Sequence, residues 1–153
     1  VADKAAPLLD LGCGTGMSGE ALRAAGFTVI DGTDFSAEML AAAETKGVYR
    51  KLTKGDLNTP IPARAGDYAN AAAVGVFSPT HAPPEMIDAV MALLPPGGCF
   101  GFSLNDHALA EPAYEERIGA LVEADSVEVV SDAYGDHLPQ IGLKAKIYVL
   151  RKR

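Results

Sequence analysis

Residues 8–16 read LLDLGCGTG. Two leucines and Asp10 run directly into Gly12, Gly14 and Gly16. The apolar run is short and bounded by glycines, so residues 7–11 read as a buried strand that breaks into a tight turn. Glycine loses the most backbone freedom on folding, and its repetition here needs a reason. Close approach of a ligand supplies one. The backbone N–H groups at the start of the next helix would suit a phosphate or a carboxylate.

Outward from this turn the pattern alternates. A helix over residues 17–25 ends at Gly26, and a second strand follows at 27–30. Ser36 reads as an N-cap with Glu38 in the first turn, opening a helix over 37–46 that stops at Gly47. A weaker third strand is expected at 48–52, a proline-bearing loop at 58–66 and an Ala-rich fourth strand at 68–76. That fourth run is continuous, as expected of a strand covered on both faces. A helix at 85–94 closes on Pro95-Pro96-Gly97-Gly98 and leads to a fifth strand at 100–104. A last helix at 111–123 precedes two alternating runs at 127–132 and 144–150, expected to form an antiparallel pair. The expected fold is therefore a Rossmann-like, doubly wound α/β sheet in three layers, mostly parallel with a terminal antiparallel pair. Ligands of such sheets lie beyond the carboxyl ends of the strands, where strand order reverses.

The totals agree with one domain over residues 1–153. The chain is 48% hydrophobic and 22% charged, which excludes a disordered segment. Its net charge of −7 argues against nucleic acid as a partner, because a phosphate backbone asks for a basic face. Arg151, Lys152 and Arg153 read as a solvated terminus. Cys13 and Cys99 form no disulfide framework, and the opening residues carry no signal peptide, so a cytoplasmic setting is expected. No apolar run is long enough to span a bilayer. No metal is expected, since no His, Cys and Asp stand at ligand spacing.

Three weak signals fall in order in the loops after the first three strands. The first is the glycine turn. The second is Asp34, 22 positions after Gly12, where a carboxylate can accept both hydroxyls of a ribose. It could instead serve the helix start, although Ser36 already fills that role. The third is Gly55-Asp56-Leu57, ordinary turn chemistry on its own.

Taken jointly, LLDLGCGTG, DGTDFSAEML, GDL and LLPPGG resemble, in order and spacing, the class I S-adenosylmethionine-dependent methyltransferases. The resemblance covers nearly the whole chain. Gly32, VYRKLTKGDL and VGVFSPTH are further similar to the methyltransferase-like group of the Williams–Beuren region. The resemblance implies S-adenosyl-L-methionine as cofactor. Gly12, Cys13, Gly14 and Gly16 would hold its methionine part, and Asp10 would orient the loop and face the amino group. Asp34 would bind the ribose. Phe35 and Met39 would flank the adenine, while Asp56 and Leu57 would meet its edge. Val74 and Gly75 would line the path to the methyl group. Phe35 and Met39 could equally be core, and Cys13 could simply be small.

The implied reaction is an in-line methyl transfer to a small-molecule acceptor, in which alignment and water exclusion matter most. An acceptor that loses a proton needs a base. His81, after the fourth strand, and His107, after the fifth, are the candidates. Class I enzymes place helices before the first strand. Here that strand starts near Pro7, so the chain is expected to lack this lid and to be part of a longer protein. Three rivals share the pattern. A nicotinamide-dependent oxidoreductase would want its third glycine where Met17 stands. A non-catalytic cofactor-binding or scaffold module would keep the fold without turnover. Aminopropyl transfer would want acids near the fourth strand, which carries none beyond Asp67.

Overall fold

The computed structural model of the protein describes residues 2–56, 60–138, 140 and 142–153. β1 (Leu8–Leu11) is buried at every position and is followed by α1 (Met17–Ala24). Then come β2 (Ile30–Asp34), α2 (Ala37–Glu44), β3 (Lys51–Lys54) and β4 (Asn70–Phe77). α3 (Glu85–Leu93), β5 (Cys99–Asn105), α4 (Asp106–Leu109) and α5 (Pro112–Glu123) follow, and β6 (Val127–Leu138) and β7 (Leu143–Lys152) close the chain. The seven strands form one sheet in the order β3-β2-β1-β4-β5-β7-β6. β1 to β5 pair in parallel, and β7 runs antiparallel to both β5 and β6. Strand order reverses between β1 and β4, which puts the switch point at the turn after β1.

Alternation along the central strands builds two cores. Leu9, Leu11, Ala71 and Ala73 join the larger one with Ile87 and Val90 of α3 and Tyr114 and Ile118 of α5. Leu8, Ala72 and Ile30 point the other way, toward Leu22 of α1, Phe27 and Tyr49. Helices therefore cover both faces, as the parallel strands require. Phe77 makes edge-on contacts with Phe100, Phe102 and Tyr114, a geometry that suits the ring quadrupoles.

The sheet departs from the sequence reading in several places. β2 lies at Ile30–Asp34 rather than 27–30. Its two acids, Asp31 and Asp34, are tolerated inside the sheet because each is paired. Asp31 takes two bonds from the Arg50 guanidinium, at 3.0 and 2.6 Å, and a third from the Tyr68 hydroxyl at 2.8 Å. Phe27 packs as a partly buried side chain outside the ladder. β3 is likewise later than 48–52, because Tyr49 turns inward while the Lys-rich KLTK stretch forms the sheet edge. α4 has no counterpart in the sequence reading; the Asn105 side chain caps it by accepting from Ala108 N–H at 3.0 Å. β6 and β7 also run longer than expected, and Gly135 and Asp136 lie within the ladder.

Candidate functional site at the tips of β1, β2 and β4

The turn after β1 is fixed by main-chain bonds. Cys13 N–H donates to Thr33 O at 2.9 Å, and Gly16 N–H donates to Cys13 O at 3.0 Å. Gly12 has φ +63°, and a Cβ there would lie 2.7 Å from Cγ2 of Val76. No other residue fits this position without both strain and a clash.

Asp34 ends β2 and is almost fully buried. Its Oδ2 accepts from Gly14 N–H and its Oδ1 from Ser36 N–H, both at 3.0 Å. The helix-start role and a ligand role are thus not exclusive. A carboxylate has about four acceptor positions, and these two bonds use half of them. The Ser36 hydroxyl caps α2 separately, accepting from Met39 N–H at 3.3 Å.

Asp10 is completely buried. Its Oδ2 accepts from the Ser18 hydroxyl at 2.6 Å and the Tyr49 hydroxyl at 2.8 Å. Among the described residues its Oδ1 has no hydrogen-bond partner. Burial pushes this carboxyl up to about 6, and the Asp34 charge adds to the rise, against the lowering effect of the two hydroxyls. An unpartnered carboxylate oxygen in the interior is costly unless a cation or donor meets it.

Gly12, Asp34, Phe35, Gly75, Val76 and His81 line a crevice of about 100 Å³ at these strand tips. Larger hollows lie elsewhere, including one of about 400 Å³ beside α2 and β3. The small crevice nevertheless has the polar chemistry. It continues outward as an open shelf, because Phe35 is 64% exposed, Val74 49% and Met39 43%. Neither Phe35 nor Met39 is core. Gly75, at φ +68°, interrupts the β4–β5 register between Ala73 and Phe77, and its N–H turns to the Ser103 hydroxyl at 2.8 Å. This bulge opens β4 beside the crevice.

His81 reaches the crevice from the loop after β4. Its Nδ1 is 2.6 Å from the Ser78 hydroxyl and 3.2 Å from that of Thr80, which orients the ring. His107 is exposed on α4 and does not line the crevice. Cys13 is buried, with its thiol against Gly32 and pushed up to about 12, chiefly by burial. Its side chain is an inert filler, and only its main chain faces the turn. Asp56 is exposed just after β3, next to Gly55, whose N–H donates to Asp34 O at 3.0 Å. Leu57 and residues 58–59 of the expected loop lie outside the described residues. Sequence reasoning missed Ser18 and Tyr49. Ser18 stands eight positions after Asp10, in the first turn of α1, a spacing that could have flagged it. Tyr49 lies 39 positions away, with no local signal.

A parallel sheet with this strand order and a polar crevice at its switch point defines a Rossmann-like domain for a nucleoside-bearing cofactor. Residues 9–100 match the family described as a methyltransferase domain, and the chain belongs to the class I S-adenosylmethionine-dependent methyltransferases. Human methyltransferase-like protein 27 is 34% identical over 119 residues, 76% of this chain and 47% of that protein. A trans-aconitate 2-methyltransferase from Variovorax paradoxus is 34% identical over 134 residues, 85% of this chain and 50% of that protein. The yeast 18S rRNA (guanine(1575)-N(7))-methyltransferase is 40% identical over 70 residues, 46% of this chain and 26% of that protein. The chain thus spans about half or less of the length of these curated relatives. A SAM-dependent methyltransferase structure from Methanosarcina mazei superposes with a TM-score of 0.73 at 14% identity, over 98% of this chain and 93% of that one. At that identity the likeness speaks for the fold. The cofactor of the family is S-adenosylmethionine, so the nicotinamide reading is not favoured.

Proposed function

We propose that this chain carries out S-adenosylmethionine-dependent methyl transfer to a small-molecule acceptor. The observation that carries the reading is the juxtaposition of a buried, half-partnered carboxyl at Asp10 with a carboxylate at Asp34 that keeps free acceptor positions, across one glycine turn. That donor set suits an ammonium at one end and a ribose diol at the other. The left-handed backbone of Gly12, packed on Val76 of the crevice, keeps the main chain of this turn bare for a ligand between them.

When bound, S-adenosylmethionine supplies a methyl group on a sulfonium leaving group. The chain's own tasks are holding and drying. Asp10 and the main chain of Gly12, Cys13, Gly14 and Gly16 take the amino-acid tail. Asp34 takes the ribose. Phe35 and Met39 provide the shelf for the adenine, with Asp56 and Leu57 at its edge. Val74 and Gly75 border the approach to the reacting centre. His81 takes the proton of an acceptor that must lose one, with Ser78 fixing its ring. His107 stands second for that role.

Two observations support a small acceptor. The net charge is −7, and the trans-aconitate relative matches over 85% of this chain, against 46% for the rRNA relative. Two free cysteines, Cys13 and Cys99, support a reducing, cytoplasmic setting. Among the described residues no helix is long and apolar enough to cross a membrane. The test is release of S-adenosylhomocysteine with a panel of small carboxylates, amines and phenols beside ribosomal RNA. Stimulation by one of the small molecules is expected. Stimulation by RNA alone would overturn the acceptor class, and binding of the cofactor without any turnover would favour the scaffold reading.

A further inference from the structure

We propose that Tyr49, together with Ser18, is a positioning residue for the ammonium end of the cofactor, acting through Asp10; the inference rests on the cofactor assignment above. The two hydroxyls both donate to Oδ2 of Asp10, at 2.8 and 2.6 Å, and leave Oδ1 of this completely buried carboxyl without a partner among the described residues. They fix the carboxylate plane, and they favour its charged form. A cationic ligand group requires both.

The surroundings of Tyr49 are shaped to admit it. A Cβ at Gly19 would collide with the phenol oxygen, and one at Gly32 would lie 2.9 Å from Cε1 of the ring. Gly16 is less tight against the ring, with Cε2 at 3.3 Å from its would-be Cβ. Glycines on α1, β2 and the ligand turn thus clear a path for one phenol to reach a carboxylate at the end of β1. A ring that served only to fill space would not need its hydroxyl delivered to this buried acid.

The groups that face Asp10 are Ser18 from α1, Tyr49 from the segment before β3, Asp34 from the end of β2 and the Cys13 thiol. Burial, with a smaller push from the Asp34 charge and against the two hydroxyls, sets the Asp10 carboxyl at about 6. Affinity for an ammonium therefore falls as pH drops through that region, where Asp10 gains its proton. Removing the Tyr49 hydroxyl removes a bond that favours the anion. The pH midpoint of binding should then move upward by about one unit, with about a fivefold loss of affinity at the wild-type midpoint that approaches about tenfold below it.

The test is calorimetric titration of S-adenosylhomocysteine into the chain and into Tyr49→Phe, between about pH 5 and pH 8. The phenylalanine keeps the ring in its notch, and Ser18→Ala supplies a second variant with no ring involved. 5′-Methylthioadenosine, which lacks the amino-acid tail, serves as the second probe. The expected result is an upward-shifted midpoint for S-adenosylhomocysteine in both variants, with unchanged affinity for methylthioadenosine. In an Asp10→Asn background the Tyr49→Phe effect should vanish. An unshifted midpoint, or an equal loss for both probes, would overturn the positioning role and leave the cofactor site standing. Failure of the unmodified chain to bind either probe would overturn both.

Discussion

The main-chain N–H of Gly14 donates to Oδ2 of Asp34 at 3.0 Å, joining the turn after β1 to the tip of β2 across 20 positions of chain. The same carboxylate takes the Ser36 N–H at the start of α2. One side chain therefore fixes three elements around the crevice. The amino-acid and ribose ends of a ligand would meet groups already in place, which lowers the ordering cost of binding.

Gly12→Ala tests the turn. The substitution imposes a left-handed backbone on a non-glycine residue and drives a methyl to 2.7 Å from Val76. Strain and overpacking together should cost about 2–4 kcal/mol in a denaturant titration. Because Val76 lines the crevice, affinity for S-adenosylhomocysteine should fall as well. A loss well under 1 kcal/mol, with affinity intact, would show that the turn has more room than its geometry allows.

Asp10 gives a stability dependence with a defined sign. Its folded value, about 6, lies above the ordinary carboxyl value of 3.8, so the native state binds more protons between those two pH values. Stability contributed by the protonated form is complete below about 3.8, is lost as pH rises toward 6, and levels off above it. The difference amounts to about 3 kcal/mol at most. Asp10→Asn should remove this falling contribution, so the gap between variant and wild type should change across that window and be flat above it. Parallel pH profiles of unfolding free energy for the two proteins would contradict the assignment.

Asp31 has the opposite sign. Bonds from Arg50 and Tyr68 hold its carboxyl below the usual range, outweighing the raising effect of burial. Its contribution is present above the unfolded carboxyl value and is lost as pH falls through the folded one. Arg50→Ala would strip the main partner from a buried acid. Because the Arg50 side chain is 56% exposed, screening limits the loss to about 1–2 kcal/mol. Equal melting temperatures for Arg50→Ala and wild type at neutral pH would show that Tyr68 alone satisfies the carboxylate.

His81 lines the crevice and His107 does not, which separates two residues that look alike in the sequence. His81→Ala should lower kcat by about a hundredfold for an acceptor that loses a proton, with S-adenosylhomocysteine affinity unchanged. His107→Ala should leave kcat near the wild-type value. The reverse pattern would move the base to the tip of β5.

The alternation of strand and helix, and the strand ends and turn that carry Asp10, Gly12 and Asp34, were legible because local rules place them. An apolar run, a glycine turn and an N-cap each signal within a few residues. The bounds of β2 and β3 were not legible. Apolar content suggested residues 27–30, whereas ladder pairing with β1 selects IDGTD, whose acids are satisfied by groups far away in sequence. Tyr49 escaped notice for the same reason. Its partner, and the glycines that make room for it, come together only in three dimensions. The exposure of Phe35 and Met39 could not be told from core packing by pattern alone.

The most direct measurement is calorimetric titration of S-adenosylhomocysteine into the unmodified chain and into Asp34→Ala, with circular dichroism to show that both are folded. We predict one binding event per chain and a loss of at least about tenfold in the variant, as expected when a charged hydrogen-bonding partner is removed. Absence of binding to the folded unmodified chain, or equal affinity in folded Asp34→Ala, would contradict a cofactor held across the tips of β1 and β2.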